Sequence, residues 1–420
     1  MSCRSGIRSG SDKHNFYTYT IPDGGSGVLR ALLSKCDLYI FSSKIPNMNK
    51  ASSNGSRLES LTFLRFIAAA IVVIFHYGRD TEAFKILPKA MTSGPIMVTF
   101  FFVLSGFVIA VSHYQRKVEI SKFYSSRLAR IAPIYLIALA WTCYVTPTTV
   151  IPQEFIISLT FLQSWIPLYP ITINSPGWSI SVEMLFYAVS PILLIVLAHS
   201  GERSWTKWIA ASIAIWGLSQ IVLSSLLSPA FYNVARQYAH DLIYYFPISH
   251  LCSFILGFAS GVLYKQRELT DAYKKISIGI FLLIMMGIGV GIQYMPQIQM
   301  ATSGRLALGS SFLSIVFMPA IYFCAVADDY LKRFLAAPIM VLLGEASYSL
   351  YILQKPVFLT FNQHFAQHFT EPDLKFATYF TILTLISICF YLKIEKPITA
   401  AIKSLHKRRT TAAQALPLPE

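Results

Sequence analysis

The amino-acid sequence predicts an all-α polytopic membrane protein of about ten transmembrane helices plus one interfacial or re-entrant segment, with both termini cytoplasmic. Composition points there first. Hydrophobic residues make up 54% of the chain and charged residues only 13%, with a mean hydropathy of +0.53, where soluble domains carry roughly 45–50% apolar and about 25% charged residues. The second observation is recurrence: apolar stretches of the length demanded by a bilayer core about 30 Å thick alternate with short polar or basic connectors. Backbone groups in lipid must be satisfied within each segment, so these stretches are read as helices. The third observation is the parity of the basic connectors.

Apolar runs and their punctuation place candidate helices near 61–78, 94–114, 131–146, 152–166, 179–199, 206–227, 244–264, 276–294, 307–327, 338–361 and 376–394. Short loops rich in Lys and Arg stay cytoplasmic. That rule puts Arg116, Lys117, Lys122, Arg127 and Arg130 inside, together with Arg203 and Lys207, Lys265, Arg267, Lys274 and Lys275, Lys332 and Arg333, and the tail of Lys393, Lys396, Lys403, Lys407, Arg408 and Arg409. Between residues 117 and 203 an even number of crossings is then required, yet three runs lie there. The run 152–166 is the weakest, flanked by Pro147, Pro152 and Pro167 and carrying Glu154 and Gln163. Reading it as interfacial or re-entrant leaves ten spans. Arg79, Lys85 and Lys89 dissent by falling outside, beside Asp80 and Glu82.

The formal net charge of +15 would suggest nucleic-acid binding in a soluble protein. Here the basic residues sit in connectors and tails, where they serve as topology signals and headgroup contacts, and no nucleic-acid partner is expected. Cys3, Cys36, Cys143, Cys252, Cys324 and Cys389 are scattered singly, so neither a zinc site nor a disulfide framework is indicated and no metal is expected. Residues 1–56 read as a polar, basic leader, expected to be disordered, with no signal-peptide core; Val28 to Phe41 is only weakly apolar, and Met48 is an alternative start.

Ionisable groups within membrane helices are costly, and each is a functional candidate. The first helix holds two, Arg65 and His76, eleven positions apart. At about 100° per residue they return to within about 20° of one face, separated by about 16 Å of rise. The competing account has Arg65 snorkelling to the inner headgroups and His76 at the outer interface. Arg127 and Arg130, at i,i+3 at the inner start of the third helix, point to the same leaflet as Arg65. Three guanidiniums there suit a polyanionic phosphate ligand, although headgroup anchoring would also explain the pair.

Glu183, in Trp178-Ser179-Ile180-Ser181-Val182-Glu183, opens a helix from the side His76 faces. It can orient an imidazole acting as general base, or merely match the helix macrodipole. In Phe101-Phe102-Val103-Leu104-Ser105-Gly106-Phe107, small residues inside an aromatic helix signal close packing or a ligand contact. Gly257 and Gly261 read as packing residues. His240, His250, Asp241, Asp328 and Asp329 have no partner nameable from sequence.

Together these residues resemble the acyltransferase 3 family of membrane O-acyltransferases over about residues 57–400. Arg57-Leu58-Glu59-Ser60-Leu61 with Arg65, Ala68 and His76 is similar to the family's first-helix signature. Phe101 to Phe107 resembles its second-helix Ser-Gly-Phe segment, and Arg127-Leu128-Ala129-Arg130 with Pro133 and Tyr135 its Arg-x-x-Arg motif. Trp178 to Glu183 with Phe186, Tyr187 and Pro191 is similar to its Trp-Ser-x-Ser-x-Glu block. Gly344, Ser347-Tyr348-Ser349-Leu350-Tyr351, Pro356 and Ile394-Glu395-Lys396-Pro397 resemble its last two helices. Gln354 departs from the pattern, standing where many members carry His, so no second histidine role is expected.

The resemblance implies a membrane acyltransferase domain over 57–400 followed by a basic cytoplasmic tail over 401–420. It implies transfer of an acyl group, usually acetyl, from cytoplasmic acyl-CoA to a hydroxyl of a carbohydrate or glycolipid acceptor such as an exopolysaccharide or lipopolysaccharide. His76 and Glu183 are then the expected catalytic residues, and Arg65, Arg127 and Arg130 the acyl-CoA-binding ones. Ser105, Gly106, Phe107, Trp178, Ser181 and Tyr187 are the expected lining of a pore or acceptor site. No permanently bound cofactor is expected, acyl-CoA being a substrate. The expected setting is the bacterial inner membrane, with polysaccharide-synthesis proteins as candidate partners. With no hydrolase-like domain after residue 400, transfer is expected to be completed by the membrane domain or a separate protein. An ion-coupled secondary transporter is the alternative, but no repeat or pair of broken helices supports it; a non-catalytic scaffold would leave Arg65, His76 and Glu183 unexplained.

Overall fold

A computed structural model describes residues 56–232, 236–327, 335 and 337–414, with side chains described except at 56–60, 229–230, 236 and 407–414. The predicted leader up to residue 55, Asp328, Asp329, Lys332 and Arg333 lie outside the described residues, as does the end of the predicted tail, 415–420.

The fold is all-helical among the described residues. Its long helices are α1 (Ser56–Tyr77), α2 (Gly94–His113), α3 (Ile120–Val145), α5 (Trp178–Ala198), α6 (Trp205–Leu226), α7 (Pro247–Gln266), α8 (Asp271–Gln293), α9 (Ser314–Val326), α10 (Pro338–His364), α11 (Pro372–Phe390) and α12 (Lys396–Gln414), with a short α4 (Pro152–Leu159) after α3. Seven described helical stretches are long and apolar enough to cross a membrane, and they contain α2, α3, α5, α6, α7, α8 and α11. The apolar part of α1, Leu61–Tyr77, and α9 are shorter. Helix α10 has 27 residues and carries Glu345 and Lys355.

Among the boundaries that differ from the sequence reading, two have identifiable reasons. Helix α3 begins at Ile120 rather than near 131. Residues 120–130 mix Lys122, Arg127 and Arg130 with the buried Phe123 and Ala129, an amphipathic turn that an apolar run does not register. The run 152–166 stops being helical after the eight residues of α4, about 12 Å of rise against a core of about 30 Å. Phe161 then takes a left-handed conformation (φ 60°), and the chain folds back through a tight turn at Gln163–Trp165.

Helices α2 and α7 form the centre, both largely buried, while α6 and α8 bury little of themselves. The outward faces of α6 and α8 expose Leu218, Ile221, Leu283 and Met286, a surface suited to lipid. The central contact depends on glycine. A Cβ on Gly106 would stand 2.0 Å from the Phe254 carbonyl oxygen, and one on Gly257 would stand 1.8 Å from that of Val103. The two backbones therefore touch, as small residues permit in membrane bundles. Of the two residues expected to line a site, Gly106 stands at the crossing point, and Phe107 is fully buried with its ring against Tyr264 at 5.6 Å.

Replacing Gly257 by Val should force α2 and α7 apart, an overpacking cost of about 1–3 kcal/mol or more. Its apparent melting temperature in detergent should fall well below that of a Gly279→Val control, whose Cβ meets nothing within 4 Å. Equal melting temperatures would contradict the backbone contact.

Candidate active site

Helix α1 is unbroken from Ser56 to Tyr77, so it carries Arg65 and His76 on one rod with about 16 Å between their levels. Helix α10 runs beside it in register. A Cβ on Gly344 would meet the Thr62 carbonyl oxygen at 2.2 Å, and fourteen residues further along Phe358 packs on Tyr77 with ring centroids 4.3 Å apart. Each end of α1 therefore faces a defined stretch of α10.

At the Arg65 end, two helices, α1 and α3, bring together the predicted arginines. Arg65 interacts electrostatically with Arg130, Glu345, Glu395 and Glu183. Arg130 Nε lies 3.9 Å from Glu395 Oε1, and Ser349 donates to Glu395 Oε2 at 3.2 Å. Arg127 stands over the rings of Phe123 at 5.6 Å and Tyr187 at 5.8 Å, a cation–π arrangement. Tyr187 donates to Glu183 Oε2 at 2.9 Å. The Arg130 Nη2 atom is buried without a hydrogen-bond partner; an orphaned guanidinium donor is costly and marks where an anion would be accepted.

Arg127 and Arg130 open onto a cavity of about 550 Å³, which Arg116, Lys117, Lys122, Lys403 and His406 also line. One acidic side chain, Glu119, shares it. Helix α12 forms a wall, held by a 2.6 Å hydrogen bond between Ser125 Oγ and His406 Nε2. The size and charge suit a polyphosphate.

Glu183 belongs to this cluster and not to His76. No hydrogen bond or charge contact links Glu183 to His76 among the described residues; its charged neighbours are Arg65, Arg130 and Arg127. The reason is depth. Glu183 lies five residues into α5, about 8 Å from the helix start, which brings it to the level of the arginines. The sequence reading placed it on the side His76 faces by treating it as the helix opening.

His76 is exposed, with Phe75 and Tyr77 rings at 5.1 and 6.0 Å. The charges that act on it come from Arg79 and Lys355, and Lys355 in turn interacts with Glu154 of α4. Arg79, in the turn after α1, is held back on the end of that helix by a 2.9 Å bond that its Nε donates to the Phe75 carbonyl.

The remaining predicted lining residues divide. Ser181 is fully buried and donates to the Phe161 carbonyl at 2.6 Å while accepting from Ser164 N. It holds the returning loop after α4. Gln163 supports the same loop through Gly177 O at 2.7 Å and Tyr135 at 3.2 Å. Trp178 packs edge-on to Tyr245 at 5.1 Å and beside His250. Neither Trp178 nor Ser105 lines the basic cavity. Asp241 and His250 acquire partners absent from the sequence reading: the Leu168 N–H donates to Asp241 at 2.7 Å, and His250 Nε2 lies 3.0 Å from the Tyr244 carbonyl.

Sequence reasoning assigned no role to Glu345, Lys355 or Glu395. All three are ionisable groups in or bordering apolar helices, the signal that singled out Arg65 and His76.

Residues 58–392 match the family model described as an acyltransferase domain. The chain is 33% identical over 174 residues to the acyltransferase MdmB of Streptomyces mycarofaciens, covering 38% of this chain and 44% of that protein. It is 26% identical over 357 residues to the exopolysaccharide production protein ExoZ of Rhizobium meliloti, covering 82% and 98%. It is 22% identical over 334 residues to the O-acetyltransferase OatA of Staphylococcus aureus, covering 74% and 52%. The chain thus spans about half the length of MdmB and OatA. No solved structure matches it. The chain belongs to the acyltransferase 3 family.

Proposed function

We propose that this protein transfers an acyl group, acetyl in the simplest case, from cytoplasmic acyl-CoA to a hydroxyl of a carbohydrate acceptor such as an exopolysaccharide or lipopolysaccharide. The observation that carries the proposal is the single rod of α1. It joins an arginine cluster beside a basic cavity at one end to an imidazole about 16 Å away at the other. The names of ExoZ and OatA support the acceptor class and the O-acetyl chemistry.

In this reading α1, α2, α3 and α5 to α11 are the ten spans, both termini are cytoplasmic, and the membrane is the bacterial plasma membrane. The basic cavity then faces the cytoplasm and takes the donor's phosphates, with Arg127 and Arg130 as principal ligands and Arg116, Lys117, Lys122 and Lys403 around them. The pantetheine arm extends past Arg65 and places the thioester near His76. His76 accepts the proton of the acceptor hydroxyl as its oxygen attacks the thioester carbon. A C–O bond forms, the C–S bond breaks, and the departing CoA thiolate takes up a proton. Glu183, together with Glu395 and Glu345, balances the arginines, so that the cradle exists before the donor arrives. Its contribution to transfer runs through Arg127 and Tyr187.

Purified protein in nanodiscs, given labelled acetyl-CoA and a panel of sugars, tests the two ends separately. His76→Ala should lower transfer about 10²–10⁴-fold, the usual worth of a general base, with acetyl-CoA affinity retained; unchanged turnover would remove His76 from catalysis. Arg127→Ala/Arg130→Ala should weaken acetyl-CoA binding by at least about tenfold, since charge-assisted bonds contribute roughly 1.5–3 kcal/mol each. Undiminished affinity would rule out the phosphate cradle. For topology, a reporter fused after Thr172 should read outside the cytoplasm, and a cytoplasmic signal would overturn the ten-span arrangement.

A further inference from the structure

A second cavity, of about 240 Å³, lies at the His76 end and has no part in the chemistry above. Its walls are aromatic. Tyr77, Phe358, Phe361, Phe369, Phe376 and Tyr379 surround it, with Tyr77 and Tyr379 ring centroids 5.4 Å apart, Phe358 and Tyr379 5.3 Å, and Phe361 and Phe369 5.8 Å. The same space is lined by Asp80, Thr81, Thr370 and Lys375. Among the described residues the Asp80 carboxylate and the Lys375 ammonium make no hydrogen bond or ion pair.

Hydrogen bonds tie the walls to one another. Asp373 accepts from the backbone N–H groups of Glu82 and Ala83 at 3.0 and 3.1 Å, tying the segment after α1 to the start of α11. Thr81 accepts from Phe84 N and donates to the Gly78 carbonyl at 2.6 Å. Tyr379 donates to the Gln354 carbonyl at 2.9 Å. Tyr77 is the shared wall: its ring stands 4.3 Å from Phe358 on the cavity side and 6.0 Å from the His76 imidazole.

We propose that this cavity binds one pyranose ring of the acceptor, stacked on the aromatic walls and hydrogen-bonded by Asp80 and Lys375, beside the hydroxyl that His76 serves. The proposal rests on the acyltransferase reading for the identity of His76's partner. The choice of a sugar over a lipid tail follows from the mixed lining. A pyranose presents an apolar C–H face and a rim of hydroxyls, matching rings and unpaired polar groups in one small space. An alkyl chain would use the rings alone and offer no hydrogen-bonding group to the exposed Asp80 carboxylate or the half-buried Lys375 ammonium.

The test uses the full chain in nanodiscs without any acyl donor, and methyl glycosides of glucose, galactose and mannose as probes in saturation-transfer NMR. At least one glycoside should bind the wild type and the H76A variant. Affinity should fall at least tenfold in F369A and in D80N. Thr370 is exposed, so the T370C variant should fold normally, and coupling it to a bulky maleimide should block binding, with maleimide-treated wild type as the control. Failure of every glycoside to bind, undiminished binding in F369A and D80N, or protection of the T370C thiol by a fatty acid alone would overturn the proposal. Acyl transfer measured in parallel separates the two readings. Glycoside binding without any transfer from acyl-CoA would leave the sugar cavity standing and remove the acyltransferase mechanism. Transfer to the native acceptor that is undiminished in F369A and D80N would do the reverse.

Discussion

Arg65 sits nine residues beyond the start of a 22-residue helix, with Arg130 in electrostatic contact with the same three carboxylates and Arg127 with one of them, Glu183. A lone cation at the centre of a membrane helix costs about 2.5–3.5 kcal/mol even on the mildest scale, and like charges add repulsion. The cluster is tolerable because Glu183, Glu345 and Glu395 arrive from three other places in the chain. Much of the bundle's geometry answers to this requirement. Helix α5 must enter far enough to deliver Glu183, α10 must lie in register with α1 to deliver Glu345, and the end of α11 must bend Glu395 inward.

The last of these is achieved by a change of helical pitch. Between α11 and α12 the backbone widens into a π-turn over Tyr391–Glu395. A π-turn inserts residues relative to α-helical phase, so every side chain beyond it rotates about the axis. Glu395 ends up 2% exposed between Arg130 and Ser349, while α12 continues along α3 to wall the basic cavity. One local deviation thus sets both a counter-charge of the cluster and a side of the cavity it opens to.

How much of this could be read from sequence depended on the range of the interaction. Helix type and the position of most apolar runs follow from local hydropathy, and the shared face of Arg65 and His76 follows from helical periodicity alone. The close crossing at Gly106 was legible only as one of two options, because small residues serve packing and ligand contact alike. The partner of Glu183 was not legible, since it depends on how deeply α5 sits relative to α1, a tertiary quantity. Ser181 illustrates the same limit: its hydroxyl is committed to the loop at Phe161, twenty residues away, and nothing in its neighbours announces that. Lys355 and Glu395 carried a usable signal, their charge in or beside an apolar helix, but no spacing rule connects them to residues on α1 and α3.

The two ends of α1 present opposite solvation problems. At the Arg65 end, charge is concentrated and self-compensating, and the orphaned Arg130 donor shows that compensation stops one hydrogen bond short. At the His76 end, aromatic surface dominates, and the charges of Arg79, Lys355, Asp80 and Lys375 stand around it. A ligand rich in phosphate would match the first environment, and one with apolar faces and hydroxyl edges the second. Because α1 is continuous, the distance between the two is set by helical rise and not by loop conformation. Catalysis that depends on bringing a tethered thioester to a positioned base gains from such rigidity, since small displacements of reacting groups carry large rate penalties.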